Sequence, residues 1–362
     1  MKRGGFGPDK ARIVIVGEAY GSEEEKQRRP FVGGAGKELH SWLRLAGISP
    51  NDVYFTNVIN KRPFGNDFGQ FCLSKKKAQA EYAEWRTVLE MQAPGDWPST
   101  YNWKPVASGK YLHPKHLHEI PNLIQEIKER EPNLIILCGN TPCWAILGQT
   151  GISKMRGAVT QTPLGIKAIP MLHPAAILRN YEQRPLSVVD MMKAATEMTF
   201  PEISRPSREV WIDPELADFP IFDEKLQSAE YIGCDIETAP ASGFIKCVGF
   251  SADEHSAIVV PFYDPRQDDG NYWPTEDHEA EAWRWVQRWL SLPQSKIFQN
   301  GAYDMSWLWA QMGMYPSEWD DTLLQAHSMQ PELQKDLGTL GSIYTNEPAW
   351  KLEHRSGNKD AE

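Results

Sequence analysis

The clearest signal in the chain is a set of short, nearly unbroken apolar runs separated by helical patterns. Residues 11–17 (ARIVIVG), 53–59 (VYFTNVI), 133–139 (NLIILCG) and 167–174 (KAIPMLHP) read as strands buried on both faces. Between them, Lys37–Ala46 has helical spacing and stops at Gly47, and 120–132 is a helix closed by Pro132. Thr141 and Pro142 are suited to cap and open another helix, and Ala175–Arg179 is helical. Strand–helix alternation of this kind predicts an α/β layer around a largely parallel sheet. Residues 64–118 break the pattern with Lys75-Lys76-Lys77, Trp85, Trp97, Tyr101, Trp103 and several Pro and Gly.

After residue 200 the pattern changes. Three prolines between Pro201 and Pro214 mark a linker, placed at 201–207, between a first domain (1–200) and a second (208–362). The strands 231–238, 247–252 and 257–262 follow in close succession, the first two joined by a turn at Ala241-Ser242-Gly243. An amphipathic helix (277–290), a strand running into a loop over 295–301 and a helix from Asp304 to Met312 come next. Strands in succession and then alternation predict a mixed sheet.

Charge supports the division. The net charge is −10, but residues 1–200 hold 26 basic against 19 acidic residues, and the remainder 12 against 29. The basic part suits phosphates, whereas the acidic part needs bound cations to meet them. Five widely spread cysteines (Cys72, Cys138, Cys143, Cys234, Cys247) read as reduced core residues and point to the cytoplasm. No apolar run approaches the roughly 20 residues of a membrane span, so no membrane partner is expected.

Candidate chemistry lies at strand ends, where open α/β sheets bind ligands. Glu18, Asn57 and His173 all fall at or beyond the carboxyl ends of three strands, and Phe31 follows on the first loop. In the second domain, Asp235 and Glu237 are two apart on a strand and so share a face. Adjacent carboxylates there call for a divalent metal, and Asp304 is placed to join them.

The segments GEAYG, PFVGGAG, FTNVINKRP and LHPAAILRN, in that order, resemble family-four uracil-DNA glycosylases over about residues 11–200. The resemblance implies a three-layer α/β/α domain that removes uracil from DNA by base flipping. It implies that Phe31 stacks on the extruded base, with Ala19 and Tyr20 beside it, and that Asn57 reads its Watson–Crick edge. His173 then faces the uracil oxygen that gains charge, and Glu18 holds or polarises water on the sugar side. Lys26, Arg28, Arg29, Lys61 and Arg62 flank this rim and are candidates for the DNA backbone.

Two departures stand out. Members of that family carry four cysteines for an iron–sulfur cluster; here Lys61 occupies one such position and no amino-terminal pair exists, so no cluster is expected. Tyr20 replaces a proline, and a phenol beside the pocket is expected to narrow it, change its base or abolish turnover. The 64–118 segment is expected to replace the cluster as a scaffold, the alternative being a clamp on DNA.

DIET, QNGAYDMSWL and WDDTLLQAH resemble the 3′–5′ proofreading exonuclease domain of DNA polymerase I-type enzymes over about 208–362. This implies a ribonuclease H-like mixed sheet and Mg2+ or Mn2+ held by Asp235, Glu237 and Asp304, with Asp321 in support. The fourth acid belongs to a later Tyr-x-x-x-Asp motif, but Tyr344 is followed four residues on by Pro348. The chain stops at Asp360-Ala361-Glu362, about where that motif is due, so weak or no nuclease activity is expected, with a polymerase domain beyond Glu362. DNA, single-stranded or primer-template, is the expected partner. The favoured function is uracil excision near a replicating end. The alternatives are a catalytically silent DNA- or uracil-binding module attached to the exonuclease, and the nuclease alone.

Overall fold

The computed structural model describes residues 4–81, 105–239 and 243–349. Trp85, Trp97, Tyr101, Trp103, the turn residues Ala241 and Ser242, and the tail Asp360–Glu362 lie outside them. Contacts divide the chain into one unit of Met1–Ser204 with Gly338–Glu362 and another of Arg205–Leu337. Of the described residues, 338–349 group with the first unit.

In the first unit, β1 (Ile13–Ala19), β2 (Val53–Ile59), β5 (Leu134–Cys138) and β7 (Lys167–Met171) form a parallel sheet in the order β2-β1-β5-β7. A short strand, β6 (Thr160–Gln161), completes the edge antiparallel to β7. The two faces of the sheet feed two cores by alternation. Ile13, Ile15, Phe55, Ile136 and Met171 pack with the helix Gly34–Leu45, and Met191 and Ala194 of Arg184–Glu197 join them. Val14, Val16, Tyr54, Ile135 and Leu137 pack with the helices Glu119–Arg130 and Asn140–Leu147. Burial on both faces explains the continuous apolar runs and makes three layers. From β1 the chain goes to β2 on one side, then to β5 on the other, so the order reverses at β1 and β5. A crevice beyond the carboxyl ends of the strands opens at such a reversal.

The irregular stretch contributes a two-stranded ribbon, β3 (Cys72–Ser74) against β4 (Lys110–Leu112). Its short strands carry too little apolar periodicity to be recognised in sequence.

In the second unit, β8 (Glu209–Trp211), β9 (Tyr231–Ala239), β10 (Phe244–Ser251), β11 (Ser256–Pro261), β12 (Ser295–Phe298) and β13 (Trp319–Asp321) form one mixed sheet in the order β13-β12-β9-β10-β11-β8. β9, β10 and β11 are antiparallel, and β12, β13 and β8 run parallel to their neighbours. Ile232, Cys234 and Ile236 point into the core, with Trp285, Trp289 and Leu290 of the helix Glu276–Ser291 in the same cluster. Among the described residues, no helix is long and apolar enough to cross a membrane.

Candidate active site

Gly17 is the last buried residue of β1, at the carboxyl end where the strand order predicts a crevice. A methyl group built on it lies 2.3 Å from Asn57 Oδ1 and 2.7 Å from Phe31 Cζ. Asn57 and Phe31 therefore close over one backbone position that only glycine can occupy without displacement. Phe31 has a positive φ of 54°, and its backbone rests on Gly36, where an added Cβ would come within 1.9 Å of the Phe31 carbonyl oxygen. Glu24 shapes the same loop by accepting the Gly33 N–H at 2.8 Å. The Phe31 ring lies 6.5 Å from the His173 ring, tilted by 31°, and 6.0 Å from Phe55.

Asn57 is 4% exposed and donates from Nδ2 to Asn60 Oδ1 at 3.3 Å. His173 caps the short helix Pro174–Ile177, its Nδ1 accepting the Ala175 N–H at 3.2 Å. Burial, then the nearby Arg179 charge, lowers its pKa to about 4, so the ring is neutral at physiological pH. With Nδ1 accepting, the proton of the neutral ring sits on Nε2, which becomes the donor. Glu18 accepts a hydrogen bond from the Thr141 hydroxyl at 2.5 Å. Burial raises its carboxyl above the ordinary range, Thr141 draws it down, and Asp67 and Arg179 act in opposite senses. Phe31, Asn57 and His173 thus lie together around Gly17, and Glu18, the next residue of β1, is held separately by Thr141. Such a set can bind a planar heterocycle and stabilise opposite charges on either side of a breaking bond.

Sequence reasoning missed Thr141 as a partner of Glu18, and Asp67 and Arg179 as charges acting on it. None carries a local signal, since each acts across many intervening residues. Ala19 ends β1 and packs against the core. Tyr20 is not a free phenol at the pocket mouth. It is 6% exposed and donates to the Gly4 carbonyl at 2.5 Å, with its pKa pushed up to about 12, first by burial.

The rim cations are largely engaged. Lys26 pairs with Glu23 at 2.8 Å, Lys61 with Glu119 at 3.0 Å, and Arg62 with Glu25 at 3.2 Å. Arg29 stacks its guanidinium 3.4 Å from the centre of Phe6. Arg28 occupies a left-handed position at the end of the helix Ser22–Gln27. Contact with phosphates would require exchanging these exposed pairs, which are individually weak at about 0–1 kcal/mol.

The cysteines do not fit an iron–sulfur cluster. Cys138 and Cys143 belong to the two cores on opposite faces of the sheet, both thiols pushed up by burial. Cys72 donates to the Phe68 carbonyl at 3.7 Å, and Cys234 and Cys247 lie in the other unit.

In the second unit, Asp235 and Glu237 lie exposed on one face of β9, as period two requires. Asp304 is turned to the β9 backbone instead, its Oδ1 accepting the Ile236 N–H at 3.0 Å. Burial raises its carboxyl, and Asp321 and Glu237 raise it further. Asp321 accepts the N–H groups of Asn300 (3.1 Å), Gly301 (2.9 Å) and Leu323 (2.7 Å), and so holds the turn before the Asp304 helix. Among the described residues, no three His, Cys, Asp or Glu side chains gather into a metal-holding group. Asp304 is close enough to Glu237 to feel its charge, and Asp235 and Asp304 both act on the Cys234 thiol.

Residues 5–196 match the family model described as the uracil DNA glycosylase superfamily. The chain is 30% identical over 182 residues to a type-4 uracil-DNA glycosylase of Archaeoglobus fulgidus, covering 48% of this chain and 70% of that protein. It is 32% identical over 188 residues to the type-4 enzyme of Thermotoga maritima, covering 51% and 76%. A DNA polymerase of Bacillus phage SP01 is 24% identical over 350 residues, which is 88% of this chain and a third (33%) of the polymerase. Among solved structures, Escherichia coli RNase D matches at a TM-score of 0.28 and 17% identity, covering 38% of this chain and 33% of that one. The EXD2 exonuclease domain soaked in Mn and GMP matches at 0.27 and 20% identity, covering 42% and 77%.

Proposed function

Because this chain belongs to the uracil DNA glycosylase superfamily, we propose that its first unit excises uracil from DNA in the crevice over Gly17. The meeting of Phe31 and Asn57 over Gly17, beside His173 and Glu18, is the observation that carries this reading. A uracil swung out of the strand stacks on Phe31, and Asn57 gives up Asn60 to read its edge. Extrusion costs a few kcal/mol, least for single strands and mismatches. As the N-glycosidic bond breaks, the base leaves as an anion and the sugar becomes cationic. His173 is neutral, so it donates a hydrogen bond from Nε2 to the uracil oxygen without giving up its proton. Glu18, on the sugar side, stabilises the cation and orients the water that adds to it. Lys61 and Arg62 hold neighbouring phosphates by exchanging their present partners, and Arg28 joins them from the end of its helix.

The similarity to a phage DNA polymerase supports placing this excision at DNA under replication, in the cytoplasm of a bacterium or an infected host. The second unit is read as an exonuclease-like domain that abuts the 3′ end of that DNA. No metal-dependent step is assigned to it.

Incubation of the 362-residue protein with a uracil-containing single-stranded oligonucleotide, followed by alkali, tests the reading. Cleavage at the uracil position is expected, with His173→Ala slowing it by roughly two to three orders of magnitude. Selective binding of that oligonucleotide without cleavage would replace the enzyme with a silent binding module.

A further inference from the structure

The start of the helix Asn140–Leu147, with its N-cap Gly139, touches both His173 and Glu18. Gly139 has a φ of 97°, and its N–H donates to the Met171 carbonyl at 2.8 Å, two residues before His173. An added Cβ on Gly139 would stand 3.2 Å from His173 Cβ, so the N-cap lies directly against the imidazole stem. Two residues later Thr141, 4% exposed, aims its hydroxyl at Glu18 Oε2 across 123 residues of sequence. The hydroxyl of a β-branched side chain has few rotamers, and that of a buried one has few partners. Here it is committed to one carboxylate oxygen.

We propose that Thr141 is the positioning residue for Glu18, holding Oε2 so that Oε1 is the oxygen presented to the sugar and water. This assignment rests on the glycosylase reading for its consequence, but its structural half can be tested without it. Gly139, the N-cap, and Thr141, in the first turn of the same helix, tie that helix start to both His173 and Glu18. Burial favours the protonated acid, and the Thr141 hydrogen bond opposes it, favouring the ionised form that the sugar cation needs.

The test uses the full chain with 13C-labelled glutamate carboxyls, the Glu18 signal being assigned by its loss in Glu18→Gln. Wild type, Thr141→Val and Thr141→Ser are titrated and assayed for uracil excision across pH. Thr141→Val preserves shape and removes the donor, so Glu18 is expected to titrate at higher pH. The acid limb of the excision profile should move the same way, with rates roughly tenfold lower on that limb. Thr141→Ser, which keeps the hydroxyl, should restore both. An unchanged Glu18 titration in Thr141→Val, or failure of Thr141→Ser to restore it, overturns the inference whether or not the chain excises uracil. Should Thr141→Val not fold, Thr141→Ser and Thr141→Ala decide by the same comparison. A shifted titration in a protein that leaves uracil in place would uphold the contact and remove the glycosylase reading instead.

Discussion

Gly17→Ala is the most direct probe of the crevice, because it adds one methyl group where two side chains meet. The ideal Cβ lies 2.7 Å from Phe31 Cζ and 3.2 Å from Cε2. Carbon atoms rest at about 3.5–4.0 Å, so the ring must retreat by about 1 Å. Asn57 Oδ1, at 2.3 Å, must also move, yet Asn57 is 4% exposed within a fully buried strand. Overpacking of this kind costs about 1–3 kcal/mol, which a two-unit chain should survive folded. Its effect on chemistry is larger, since a misplacement of about 1 Å can cost about 100-fold in rate. The expected outcome is a modest drop in melting temperature with uracil excision slowed by about 100-fold under single-turnover conditions. Gly249→Ala is the control: its added Cβ meets nothing nearer than 3.7 Å. Excision by Gly17→Ala within about threefold of wild type, with the melting temperature lowered as expected, would refute the placement of Phe31 and Asn57 around the substrate base.

Three further outcomes follow from the same structure. His173 has a folded pKa of about 4 against about 6.5 when unfolded. The unfolded chain therefore takes up a proton that the folded chain refuses, and stability falls as pH drops through that window. His173→Gln should flatten the decline in melting temperature between pH 6.5 and 4.5, and an unaltered slope would count against a neutral, desolvated imidazole. Lys167 and Glu197 form a buried pair at 2.6 Å, so Lys167→Met should cost about 3–5 kcal/mol in urea unfolding. Substituting both members with apolar residues should recover much of that loss, and equal losses in the single and double variants would show that the pair is not the cause. Asp304→Ala leaves the Ile236 N–H without its acceptor and should lose about 1–3 kcal/mol. Asp304→Asn keeps an acceptor oxygen and should lose less, and identical unfolding curves for the two would argue against that hydrogen bond.

Much of the architecture was readable along the chain. Continuous apolar runs such as Ile13–Val16 identify strands covered on both sides, and the period of two puts Asp235 and Glu237 on one face of β9. The glycosylase motifs brought Glu18, Phe31, Asn57 and His173 forward as a set. These features are legible because they depend on neighbours a few residues apart, where backbone geometry alone relates one side chain to the next. The bond from the Ile236 N–H to Asp304 was not legible, because it joins two elements and a helix start does not reveal which way its carboxylate turns.

What the sequence determined by itself was which segments are strands, which faces are buried and which residue types stand at strand ends. Tertiary structure alone decided what those residues meet. It set Asn57 and Phe31 against Gly17, gave Glu18 its bond from Thr141, and turned Tyr20 to Gly4. It also decided that Lys61 and Arg62 already have acidic partners, and that His173 is neutral. Each depends on the distance and dielectric between groups on different elements, some more than a hundred residues apart, quantities that no local pattern of polar and apolar positions contains.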